Sequence, residues 1–119
     1  MYGNVAQKHG SLADRFGLLS RDQRKLVVDG FENLTGFNRA QVAPILGKTK
    51  AATYTQNEIV PSKEILEKVL KVAVAADLAY EMLGSNLEET RTWMMAPNVH
   101  FFGSSPFELC MTGQGDSII

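Results

Sequence analysis

Two histidines, His9 and His100, and a single cysteine, Cys110, are the side chains of this 119-residue chain that titrate closest to neutral pH. They do not gather into a reaction centre along the sequence. His9 falls in a leader of mixed composition and His100 in a turn. No glycine-rich phosphate loop is present, and no spacing of His, Cys, Asp or Glu suits a metal ion. His100 could pair with Glu108 or Asp116 as acid and base, but its turn position favours a solvated surface histidine. Cys110 has no second cysteine for a disulfide and no nearby histidine with which to share a metal. It reads as a small buried side chain on a helix rather than a reactive thiol. Neither catalysis, nor a cofactor, nor a metal is expected.

The residues suited to recognition are more promising. Lys48, Lys50, Thr53, Thr55 and Gln56 lie within nine positions. Their ammonium groups can reach phosphates, and their hydroxyls and amide can reach base edges, so they are the candidates for DNA contact. The competing reading is a solvated polar face. Arg21, Arg24 and Lys25 could add phosphate contacts or be solvated. The charge is divided to match. Residues 1–71 hold eleven Lys or Arg against seven Asp or Glu, a balance of +4, whereas residues 72–119 hold Arg91 against six acids, a balance of −5. The first part suits a polyanion and the second a basic protein surface.

The elements that would position these residues read as helices, with no strand-type alternation and no repeat. Residues 1–19 form a leader and a short helix, Ser11 to Phe16, stopped by Gly17. Ser20 is the expected N-cap of a helix to about Leu34, with Leu26, Val27 and Phe31 inward. Asn38 caps Arg39 to Leu46, whose apolar face is Val42, Ile45 and Leu46 and which Pro44 can bend or shorten. Thr49 caps a further short helix through Gln56, so residues 20–61 carry a helix-turn-helix pattern. Residues 62–84 form one long linking helix with Ile65, Val69, Val72, Ala76, Ala79 and Leu83 on one stripe. Asn86 with Glu89 starts a helix through Met95. Ser105, Pro106 and Glu108 supply cap, first-turn proline and capping-box acid for the last one.

The C-terminal third carries a resemblance. It reads Leu87-Glu88-Glu89-Thr90-Arg91-Thr92-Trp93-Met94-Met95-Ala96-Pro97-Asn98, then Phe102-Gly103-Ser104-Ser105-Pro106-Phe107-Glu108-Leu109, then Thr112-Gly113-Gln114-Gly115. A helix ending in Trp and a hydrophobic pair, a Pro-Asn turn, a Gly before Ser-Pro and a small polar run with Gly resemble, in that order, the toxin-binding domain of Xre/MbcA/ParS antitoxins. The upstream layout from Gly36 to Gly84 is similar to that family's Xre-like helix-turn-helix and linking helix. The resemblance implies an all-α fold, an N-terminal helix-turn-helix bundle plus a small C-terminal helical toxin-binding domain. Family members continue past the Gly-containing turn into a final helix, so residues 85–119 are expected to be a shortened form of that domain.

What the resemblance implies for function is an antitoxin that occludes a RES-domain, NAD-consuming toxin and, as a homodimer, represses the shared operon at operator DNA. The alternative is a stand-alone helix-turn-helix regulator whose C-terminal domain only dimerises. Toxin-binding candidates are Trp93, Asn98, Phe107, Thr112, Gly113, Gln114 and Gly115. Trp93, beside Met94 and Met95, reads first as packing. Asn98 reads first as a turn residue tolerant of unusual φ. Phe101, Phe102 and Phe107 form either a small core or an exposed anchor, and residues 112–119 are the first choice for partner contact. The longest apolar run, Val72 to Ala76, is too short to cross a bilayer, and no basic-then-apolar leader is present, so a cytoplasmic location is expected.

Overall fold

A computed structural model describes residues 11–47 and 55–112 and divides the chain into two compact units, 1–62 and 63–119. In the first unit, helix α1 (Leu12–Phe16) begins where Ser11 Oγ accepts the Asp14 N–H at 3.0 Å and ends at Gly17, whose φ of 65° turns the chain out of the helix.

The expected helix does not start at Ser20: only its second half is helical, from Val28 to Thr35, ending at Gly36. Ser20 spends its polar atoms on a tight turn instead: its hydroxyl donates to Asp22 Oδ1 at 2.6 Å and accepts the Lys25 N–H at 3.1 Å, and its carbonyl accepts the Gln23 N–H. Such local side-chain bonds compete with the first turn of a helix. That hydroxyl, and then the Arg24 amide, hold the Asp22 carboxyl below its ordinary pKa. The turn folds the chain back, so that Ser20 N–H meets Lys25 O and Val27 N–H meets Leu18 O, bridging Leu19 to Leu26. Strand β1 (Leu26–Val27) then pairs antiparallel with β2 (Glu58–Ile59), Leu26 opposite Ile59. The described residues are therefore mainly helical, as expected, with the addition of a small antiparallel ladder that the sequence did not suggest.

Helix α2 (Val28–Thr35) follows β1 directly. Its N-cap residue, Val27, has no side-chain acceptor, and Asn57 serves from across the unit: its carbonyl accepts the Val28 N–H at 2.7 Å and its side chain the Asp29 N–H at 3.0 Å. The Arg39 guanidinium donates to Asp29 Oδ1 at 2.6 Å and to Asn57 Oδ1 at 3.0 Å, and lies 3.6 Å from Glu32 Oε1. One half-buried arginine thus joins the start of helix α3 (Arg39–Ile45) to α2 and to the residue that caps it. Asn38 caps α3 as the sequence suggests, Gln41 returns the bond to close a reciprocal capping box, and the helix ends one residue after Pro44. Phe31, Val28, Leu26, Leu18, Val42 and Leu46 are the largest fully buried apolar side chains of this unit.

Gly30, on the inner face of α2, lies so close to the α1 stop that a Cβ there would stand 2.5 Å from Gly17 O and 2.9 Å from Leu18 Cα. Backbone cannot yield as a flexible side chain can. Gly30→Ala is therefore expected to lower the stability of this unit by about 1–3 kcal/mol despite alanine's better helix propensity, measurable as an earlier denaturant midpoint.

The expected helix from Thr49 through Gln56 falls largely outside the described residues, as do Lys48, Lys50 and Thr53. Thr55 and Gln56 are described, and both are exposed.

In the second unit, helix α4 (Lys63–Met82) buries Val69, Val72, Ala76 and Ala79 along the expected stripe, together with Ala73 and Ala75, while Ile65 and Leu83 at its ends are half-buried. Helix α5 (Leu87–Met95), a single 3-10 turn (Val99–Phe101) and helix α6 (Pro106–Met111) follow. Helices α5 and α6 pack on α4 and on each other. No helix among the described residues is long and apolar enough to cross a membrane.

Ser105 and Glu108 form the expected reciprocal capping box: Glu108 Oε1 accepts the Ser105 N–H at 2.9 Å and Ser105 Oγ the Glu108 N–H at 3.1 Å, with Pro106 at the first helical position. The Ser105 bonds hold the Glu108 carboxyl below its ordinary value of 4.5. A depressed folded-state pKa contributes stability above the unfolded value that is lost as pH falls through the folded one. The start of α6 is therefore expected to loosen on acidification below about pH 4.5, seen as a titration of the Ser105 amide by NMR. Glu108→Gln, which can keep the box without the charge, should flatten that titration.

Candidate functional site

Helix α5 positions the site. Asn86 Oδ1 accepts the Glu89 N–H at 2.9 Å, placing Glu88 and Glu89 in the first turn, where the helix dipole favours negative charge. The Thr90 hydroxyl donates to Asn86 O at 2.7 Å and turns inward with Met94, four residues on, so these two are the buried side chains of α5. The opposite side carries Glu88 and Thr92, Glu89 and Trp93, and Thr92 and Ala96 at four-residue spacings. With Leu83 and Asn86 they line an open groove of about 500 Å³.

Trp93 is half-buried on the groove wall rather than in the core; Met94 takes the interior position. The reason is the inward pull of Thr90 and Met94, which fixes the rotation of α5 and leaves the indole at the rim. Neither Glu88 nor Glu89 forms an ion pair among the described residues. An aromatic face beside two carboxylates is chemistry that receives a cationic side chain.

The other candidates are placed differently. Asn98 caps the 3-10 turn, its side chain accepting the His100 N–H at 2.9 Å and its carbonyl the N–H groups of Phe101 and Gly103, while its own N–H donates to Ser104 O. It is a turn former, but with an ordinary φ of −127°. The left-handed positions are Phe102, at φ 54°, and Gly103, at φ 88°. A left-handed backbone costs a residue with a Cβ about 1 kcal/mol or more. Phe107 is 9% exposed and belongs to the core of this unit, Phe101 is half-buried, and Phe102 is fully exposed. Thr112, which follows α6, is exposed; Gly113, Gln114 and Gly115 lie outside the described residues.

His100 is exposed on the 3-10 turn, and among the described residues no cluster of His, Cys, Asp or Glu could hold a metal ion. Cys110 is fully buried, and desolvation, against a smaller opposing pull from Lys71, raises its pKa to about 11. Its thiol is protonated and unreactive at neutral pH.

Residues 78–116 match a protein-family model described as the antitoxin Xre/MbcA/ParS C-terminal toxin-binding domain. That segment takes in the last residues of α4, the groove, the 3-10 corner and α6. These residues belong to the Xre/MbcA/ParS toxin-binding domain family. No curated protein and no solved structure matches the chain. The toxin-binding domain supports an antitoxin role with a toxin as partner, and the family is a regulatory one rather than a known enzyme family.

Sequence reasoning picked out Trp93 but missed Leu83, Glu88, Glu89, Thr92 and Ala96 as its neighbours. The four-residue spacings were present. With Trp93, Met94 and Met95 adjacent, however, two apolar faces of α5 were equally available, and only the packing against α4 and α6 decides between them.

Proposed function

We propose that the chain is an antitoxin that occludes a RES-type, NAD-consuming toxin without catalysis, and that as a homodimer it represses the shared operon through DNA contact by the N-terminal unit. The reading is carried by one coincidence: the segment that matches the toxin-binding domain also bears an open groove lined by Trp93 together with the carboxylate residues Glu88 and Glu89. The surplus of acid over base in residues 72–119 supports a basic partner surface, such as a cleft that binds the phosphates of NAD. The DNA part rests on the +4 balance of residues 1–71 and on the exposed hydroxyl and amide of Thr55 and Gln56.

Co-expression with the neighbouring reading frame tests the toxin part. A RES-domain product that arrests growth alone and not together with this chain agrees with the proposal. No rescue and no co-purification would remove the inhibitory role and favour a stand-alone regulator. A gel shift of the upstream DNA that weakens steeply with salt is expected for the N-terminal unit, and no shift would withdraw the repressor role.

A further inference from the structure

We infer that the corner formed by Val99 and Phe102 is an apolar anchor, a fixed aromatic knob that seats in an apolar pocket of the toxin. The inference rests on the toxin-binding reading and adds a second contact, of different chemistry, to the groove beside Trp93.

The first observation is exposure. Phe102 is 101% exposed and Val99 83%, the two highest values among the large apolar side chains described. The same unit buries Phe107 and half-buries Phe101 within a few residues, so its core does accept aromatic rings at this point of the chain. Phe102 is not part of the core among the described residues.

The second observation is the backbone. Phe102 occupies the left-handed region at φ 54°, ψ 37°, a conformation that glycine or asparagine adopts at less cost. The corner is nonetheless tightly built. Asn98 accepts from His100, Phe101 and Gly103 and donates to Ser104, Phe102 N–H donates to Val99 O, and Ser104 N–H to Phe101 O. The ring is thus held out by a strained, hydrogen-bonded frame, so binding would order little backbone. Exposed, preorganised aromatic side chains are the kind that dominate interface energetics.

The third observation defines the occupant. Residues 97–107 contain one titratable side chain, His100, in contrast to the acidic first turn of α5. The complement of this corner is apolar, where that of the groove is basic. Both residues lie within 78–116, the segment whose family is described by toxin binding, which makes the toxin the occupant rather than a second copy of this chain.

The test compares the full chain with Phe102→Ala and Phe102→Asn, measuring calorimetric affinity for the purified RES-domain protein of the neighbouring frame, thermal midpoint and sedimentation. Both variants are expected to weaken binding by about 30-fold. Phe102→Asn, which relieves the left-handed strain, is expected at the same time to raise the thermal midpoint. A merely structural role would move both quantities in the same direction. Affinity within two-fold of wild type in both variants overturns the anchor. If Trp93→Ala loses binding while the Phe102 variants keep it, the anchor alone falls and the toxin-binding reading stands. Variants that bind normally but no longer self-associate assign the corner to a second copy and overturn the inference. A wild-type chain with no affinity for the RES-domain protein overturns the anchor together with the reading beneath it.

Discussion

Trp93→Ala is expected to weaken the complex with the toxin by about 30-fold or more while leaving the helical signal of the protein intact. The expectation follows from where the indole stands. Thr90 and Met94 occupy the buried side of α5, so truncating Trp93 empties a groove wall rather than the interior. A half-buried tryptophan flanked by Glu88 and Glu89 offers a large face to a partner at little entropic cost, and such residues carry a disproportionate share of interface energy, about 2 kcal/mol or more each. Glu89→Lys provides the electrostatic control. It should slow association and weaken the salt dependence of the rate, while Trp93→Ala should act mainly on dissociation. An affinity unchanged in both variants would place the toxin contact elsewhere on the unit.

The largest effect on stability is expected from Phe31→Ala, at about 3–5 kcal/mol. Phe31 is the largest fully buried side chain described, and it lies on the inner face of α2. Its carbonyl also accepts the Thr35 hydroxyl at 2.8 Å, and Thr35 Oγ1 in turn accepts the Phe37 N–H, so the ring is anchored where the helix gives way to the turn before α3. A loss of that size is a large part of the stability of a small domain. It should appear as faster hydrogen exchange at the Val27 and Val28 amides, which donate to Leu18 O and Asn57 O. Protection at those amides equal to wild type would mean that the core around Phe31 is not what holds α2 against the ladder.

What could be read from the sequence was local. The Asn38 and Asn86 caps, the Ser105–Glu108 capping box and the glycine stop at Gly17 all depend on residues within a few positions of one another, and all are present. The length and buried stripe of α4 were legible for the same reason, since a twenty-residue helix repeats its signal many times. What failed was non-local. Ser20 looks like a helix start until Leu26 and Val27 find partners at Ile59 and Glu58, more than thirty residues away. The cap of α2 comes from Asn57, and the need for glycine at position 30 comes from the backbone at Gly17.

The site followed the same division. Trp93 stood out by type, but its side of α5 was settled by tertiary packing. The left-handed residue in the Asn98 corner proved to be Phe102, a position no propensity rule assigns to phenylalanine. The family resemblance was legible because its elements are ordered along the chain. The surface that would meet a toxin was not, because it joins the end of α4 to one side of α5.

The most direct measurement of the central claim is the rate of NAD consumption by the purified RES-domain protein of the neighbouring frame, titrated with the full chain and, in parallel, with Trp93→Ala. The intact chain is expected to abolish turnover at a fixed stoichiometry, and the variant to need a far higher concentration to do so. Undiminished turnover at saturating concentrations of the intact chain would contradict the claim.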